Sequence, residues 1–260
     1  MPSAQNINYW IRKFLEHAEV GKNQSIRTII NYAHYLKRFQ KFAGNIIPSQ
    51  ITLEQIQNFR LHLSRMGTLS IKSQNYHIIA LRAFLKYLVK QDVQTLAPEK
   101  IELGKIPERT VEFLTRDELE RIFNQVQGES IRNFRDRAIL ETLFSTGLRV
   151  SELTNLNRKN INLIQREFMV RGKGRKPRIV FLSQRATSHI GEYLKKRTDN
   201  FEPLFLNHKR GKKGEDITKS EARRLTTVSI QNIVRSYSLR AGIIKKVTPH
   251  TLRHSFATEL

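Results

Sequence analysis

The 260-residue chain has no cysteine, one tryptophan and half as many acidic as basic side chains. Without cysteine there can be no disulfide, no thiolate nucleophile and no cysteine-ligated zinc. The eight histidines show no HExxH-type spacing, so no metal site is expected. No uninterrupted apolar run approaches the roughly 20 residues of a membrane span. The N-terminus MPSAQNINYW also lacks the basic-then-apolar layout of a signal peptide. These absences predict a soluble, cytoplasmic protein with no membrane partner. No internal repeat is visible.

Scarcity of acid is the most informative deficit. There are 46 Lys and Arg against 23 Asp and Glu, a net charge of +23 and a pI near 10.6. The excess is spread along the chain: 14 basic against 5 acidic groups in residues 1–100, and 32 against 18 in residues 101–260. A basic tail on a neutral enzyme would concentrate it. A polyanion held along the whole molecule is expected, with nucleic acid the first candidate. The 39% apolar content is enough to build cores.

Two hydrophobic rhythms divide the sequence, giving a mainly α fold with a small β-hairpin or sheet (α+β). Residues 1–96 read as a basic four-helix domain. Its first helix spans roughly Tyr9 to His17. The second carries an Ile26, Ile29, Ile30, Ala33, Leu36 stripe. A third starts at a Thr52/Gln55 capping box, buries Ile56, Phe59, Leu63 and Met66, and ends at Gly67. The fourth, after Ser73, aligns Ile78, Leu81, Leu85 and Leu88. Residues 97–113, with two prolines and a glycine, read as a linker.

Residues 114–260 form the second domain. A capping box at Thr115 and Glu118 opens one helix, and another runs from about Arg132 to Thr146 before Gly147. The rhythm then falls to two: REFMVRG and PRIVFL predict a hairpin with a basic tip, preceded by a short strand near Ile161 to Ile164. Helices return near Ala186 to Lys196, Thr227 to Ala241, and from Pro249. Residues 208–224 read as a charged loop.

Three places carry candidate chemistry. In TGLRVSEL, residues 146–153, Glu152 lies three residues after Arg149 and can orient its guanidinium. Taken alone, such a pair is more often a surface ion pair. In RGKGRKPR, residues 171–178, two glycines flank Lys173 and permit a sharp turn and close approach to a ligand. Its neighbours Arg171, Arg175, Lys176 and Arg178 read as phosphate-positioning contacts. By itself this is a solubilising turn. In VTPHTLRHSFATEL, Thr248 caps a helix, Pro249 takes its first position, and His250 and Arg253 leave the same face of the first turn. A helix N-terminus bearing imidazole and guanidinium suits a phosphate. A lone histidine there is more often structural, and His254 is more ambiguous still.

In this order, TGLRVSEL, the GKG hairpin and HTLRHSFAT resemble the tyrosine recombinase, or phage integrase, family. VTPHTLRHSFATEL is especially similar to its Xer-type members. The resemblance extends over the whole chain, with the N-terminal helices similar to the family's core-binding (SAM-like) domain and residues 114–260 to its catalytic domain. It implies site-specific DNA recombination without a cofactor. A tyrosine hydroxyl attacks the scissile phosphate, a 3′-phosphotyrosyl bond forms and a 5′-hydroxyl leaves. Arg149 and Arg253 would hold the phosphate oxygens, Lys173 would protonate the leaving group, and His250 would assist the nucleophile or bind phosphate. Glu152 would orient Arg149. The implied partners are a double-stranded recombination site and a homo- or hetero-tetrameric synaptic complex, placing the protein on the nucleoid.

One departure stands out. The family's nucleophile follows this last motif, whereas Tyr9, Tyr32, Tyr35, Tyr76, Tyr87, Tyr193 and Tyr237 all precede His250. The catalytic domain is therefore expected to be C-terminally incomplete, binding DNA without its nucleophile. A non-catalytic DNA-binding protein on a decayed recombinase scaffold is the alternative. A type IB topoisomerase-like nickase or an RNA-binding structural protein accounts for fewer of the motifs.

Overall fold

Helix starts in this chain are set by short polar side chains. Asn6, Ser25, Thr52, Ser70, Thr115, Ser130, Ser183, Thr226 and Thr248 each accept a hydrogen bond from the backbone N–H three residues on. Each satisfies a donor the first turn would leave unpaired. The computed structural model describes residues 5–107, 113–171, 176–208 and 220–259. The chain separates into two compact units, Met1–Arg109 and Thr110–Leu260.

In the first unit, α1 (Ile7–Glu16), α2 (Ile26–Ala43), α3 (Leu53–Arg65) and α4 (Ile71–Lys90) enclose one core. Trp10, Phe14, Leu36, Phe39, Phe59, Leu81, Phe84 and Leu88 are buried in it. Several expectations shift. Ile26 and Ile30 are exposed, because α2 turns Leu36 and Phe39 inward instead. Met66 is exposed at the end of α3, while Gly67 adopts φ +69° as a helix stop requires. Thr52 caps α3, but Gln55 Oε1 is buried without a hydrogen bond, so the box does not close. Ser70, not Ser73, caps α4.

The start of the expected linker is docked. Ile101 is buried, Arg60 donates to the Glu102 carbonyl at 3.0 Å, and Asn75 exchanges two hydrogen bonds with the Gly104 backbone. Those backbone contacts explain why 97–104 is ordered despite Pro98.

The second unit is built on α6 (Ile131–Thr146), which is buried almost all round. Leu143, Ile139 and Leu140 meet α5 (Arg116–Asn124), α8 (Gln184–Lys196) and α9 (Thr227–Arg240) in a core shared with Ile122, Tyr193, Ile230 and Val234. At roughly 1.5–3 kcal/mol per fully buried large aliphatic side chain, this face holds the unit together. The Thr115/Glu118 capping box is closed in both directions. Two buried charged groups on α6 are paired: Arg135 grips Asp136 and the Leu206 carbonyl, and the Tyr237 hydroxyl donates to Asp136.

After α6 come a short helix, α7 (Val150–Thr154), and an antiparallel sheet of β1 (Ile161–Asn162), β2 (Glu167–Arg171) and β3 (Pro177–Phe181), in that order. Phe168 pairs with Val180 and Val170 with Arg178. Strand pleating sends these four side chains to one face, the core side, and Met169, Ile179 and Phe181 to the other. The last helix, α10 (Pro249–Glu259), is pinned by Ser255, whose hydroxyl accepts from the Leu114 backbone and donates to the Thr251 carbonyl. Among the described residues no helix is long and apolar enough to cross a membrane.

Candidate active site

The site begins where α6 stops. Gly147 takes the left-handed conformation (φ +56°) and turns the chain so that Leu148 is buried and Arg149 caps α7. A Cβ on Gly147 would lie 2.8 Å from the Phe256 ring of α10. Glycine thus serves both the turn and the close approach of α10 to it.

Glu152, one turn into α7, is the centre of the cluster, and its side chain is 8% exposed. Its Oε2 accepts from the Arg149 backbone N–H at 2.8 Å and its Oε1 from Arg149 Nη1 at 3.0 Å. Arg178 reaches across from β3 with both nitrogens, 3.0 Å to Oε1 and 2.8 Å to Oε2. Each carboxylate oxygen therefore accepts twice. Burial pushes the carboxyl up, but the hydrogen bonds from Arg178 and from the backbone and side chain of Arg149 outweigh it and bring it down to about 2.

Thr248 caps α10, accepting from Thr251 N at 3.2 Å, and this sets the first turn that carries His250 and Arg253. Arg253 Nη1 is buried and has no hydrogen-bond partner among the described residues. Burial, and then the charge of Arg149, disfavours its protonated form; Glu152 opposes this and Arg178 adds to it. His250 Nε2 lies 3.1 Å from His254 Nε2. Burial and the neighbouring His254, Arg253 and Arg149 hold His250 below its ordinary pKa. Three guanidiniums thus act on one carboxylate, and the His250 imidazole lies beside two of them, Arg149 and Arg253. The excess positive charge and an unpaired buried N–H call for an anion with several oxygens.

Arg149, Glu152, His250 and Arg253 are thereby brought together from α7 and α10. Arg178 joins them by way of Glu152. Arg171 and Lys176 are exposed at the open ends of β2 and β3, with no partner among the described residues. Lys173 and Arg175 lie outside the described residues. The role of Arg178 was readable in strand parity: in PRIVFL it shares a face with Val180 and Leu182, the buried side. His254 was readable only as the i+4 neighbour of His250.

Residues 112–260 match the phage integrase family, and residues 10–95 match the N-terminal SAM-like domain of phage integrases. The chain belongs to the phage integrase family. Site-specific DNA recombination by a tyrosine recombinase is accordingly its activity class. It is 36% identical over 256 residues to the tyrosine recombinase XerC of Pelobacter propionicus, covering 96% of this chain and 81% of that one. It is 33% identical over 235 residues to the XerD recombinase of Oceanobacillus iheyensis, covering 90% and 76%. Its fold is that of the lambda integrase tetramer bound to a Holliday junction (TM-score 0.74, 16% identity, 99% of this chain and 74% of that one). It is similarly that of the Tn1549 transposon integrase bound to a circular intermediate DNA (TM-score 0.73, 18% identity, 96% and 86%).

Proposed function

We propose that this recombinase holds the scissile phosphate of a double-stranded recombination site between Arg149 and Arg253. Each guanidinium offers planar paired donors to the non-bridging oxygens, where charge grows in the transition state. The observation that carries the reading is the buried, unpartnered Nη1 of Arg253 beside Arg149. Inside a folded protein such a donor is unfavourable unless a ligand satisfies it. His250, held below its ordinary pKa by burial and by His254, Arg253 and Arg149, accepts a proton from the attacking tyrosine hydroxyl or donates to the phosphate. As the P–O5′ bond breaks, Lys173 gives its proton to the departing oxygen.

The helical domain, residues 1–96, and the catalytic domain, 114–260, both grip the duplex, with 97–113 between them. Arg171, Arg175 and Lys176 contact backbone phosphates. Recombination proceeds in a tetrameric synapse on cytoplasmic, nucleoid DNA.

The nucleophile is not among residues 1–260. Tyr193 is fully buried, its hydroxyl bonded to His208 and the Leu206 N–H. Tyr237 is buried with its hydroxyl on Asp136, and burial with that carboxylate pushes its pKa up to about 12. Neither is poised to attack. The remaining five lie in the helical unit. The test is trapping on a nicked suicide substrate made from genomic fragments that the protein retains. Residues 1–260 are expected to bind the fragment and leave the DNA free after denaturation. A covalent protein–DNA adduct would overturn the assignment of the nucleophile.

A further inference from the structure

We infer that Arg178 is a positioning residue for catalysis: it fixes Glu152 and screens its charge, so that Arg149 stays both oriented and available to an anion. The inference rests on the reading of Arg149 and Arg253 as the phosphate clamp. It differs from the expectation that Arg178 itself touches DNA phosphate.

The geometry is a relay. Glu152 can hold Arg149 only if its carboxylate plane is fixed, and α7 is a helix of five residues with little stiffness of its own. Arg178 supplies the second, bidentate grip from a different element. It stands on the core-facing side of β3, in register with Val170, which ties its origin to the sheet. A fork-to-fork pair of this kind fixes orientation in a way a single-point lysine does not.

Charge gives the second half. Glu152 alone beside Arg149 would form a neutral pair and weaken the field offered to a phosphate. With Arg178 on both carboxylate oxygens, the negative charge is shared between two guanidiniums. Arg149 still has N–H groups without a partner among the described residues, and its side chain remains 48% exposed. The cluster keeps a net positive charge while each Glu152 oxygen is saturated. Arg178 thus reconciles two demands that oppose each other: hold the arginine, and leave it cationic towards the ligand.

Orthovanadate, a phosphate-like oxyanion, is the probe, titrated into the full 260-residue chain. Arg178→Met is expected to weaken vanadate binding about tenfold, a factor typical of removing charge-assisted hydrogen bonds. Arg178→Lys is expected to recover only part of it. In a Glu152→Ala background the same Arg178→Met change should weaken binding less than about threefold, because its effect runs through the missing carboxylate. An equal loss in both backgrounds would mean that Arg178 contacts the anion itself, and the inference would fail.

Carbon-13 titration of the Glu152 carboxyl, which faces Arg149, Arg178 and Arg253, gives a readout independent of ligand. Its midpoint should rise well above about 2 in Arg178→Met. An unchanged midpoint there would also sink the proposal. Should Arg178→Met not fold, Arg178→Lys carries both measurements. If wild-type protein binds vanadate independently of Arg149 and Arg253, the clamp reading itself fails, and the carboxyl titration still decides whether Arg178 governs Glu152.

Discussion

As half of the proposed phosphate clamp, Arg253 serves function against stability. Its Nη1 is buried without a partner among the described residues and Arg149 repels it. Removing it should therefore relieve the free protein while ruining the site. Arg253→Met is expected to leave the melting temperature unchanged or higher and to weaken vanadate binding at least tenfold. A large drop in melting temperature would mark Arg253 as a structural residue. Glu152 behaves oppositely. Its carboxyl falls from an ordinary 4.5 to about 2 in the folded protein, so its contribution is complete above about 4.5 and is lost as pH falls towards 2. Acid unfolding followed by circular dichroism should show Glu152→Gln losing stability at pH 6, with the gap to wild type closing as the pH approaches 2. His250 is held below its usual value and is expected to titrate upward when vanadate binds, an effect visible in its ring proton shifts.

Between the helices, the decisive features are turns and caps. Gly147 combines φ +56° with a Cβ position 2.8 Å from Phe256. Gly147→Ala should destabilise by about 1–2 kcal/mol, from strain and contact together. Thr248→Ala should cost about 1 kcal/mol through the lost cap of α10. Denaturant melts check both. These positions also show what the sequence makes legible. Caps at Thr115 and Thr248, the stop at Gly147 and the two-residue rhythm of β2 and β3 are local signals, and each can be read from neighbouring residues. The Glu152–Arg178 contact is not local: it joins residues 26 apart through the register of a strand. Charge alone made Arg178 look like its basic neighbours. Only its parity with Val180 and Leu182 distinguishes it. The inward-facing side of α2 differs from its apolar stripe for a related reason. Apolar residues near a helix start can lie past the edge of the core, as Ile26 and Ile30 do.

For the whole molecule, the distribution of charge matters more than its total. Both units carry a surplus of basic groups, so DNA binding should involve counterion release along the whole chain. The logarithm of affinity should fall linearly with the logarithm of salt, with a slope close to −0.9 per phosphate contacted. Family membership is carried by the match across residues 10–95 and 112–260, whereas the proposed phosphate clamp rests on a few side chains on α7, β3 and α10. The most direct test of the phosphate clamp is a methylphosphonate scan across a retained genomic fragment, neutralising one phosphate at a time. The clamp predicts one position where neutralisation weakens wild-type binding about tenfold and leaves the Arg149→Met/Arg253→Met double variant unaffected. A uniform small loss at every phosphate, or the same loss in both proteins, would contradict it.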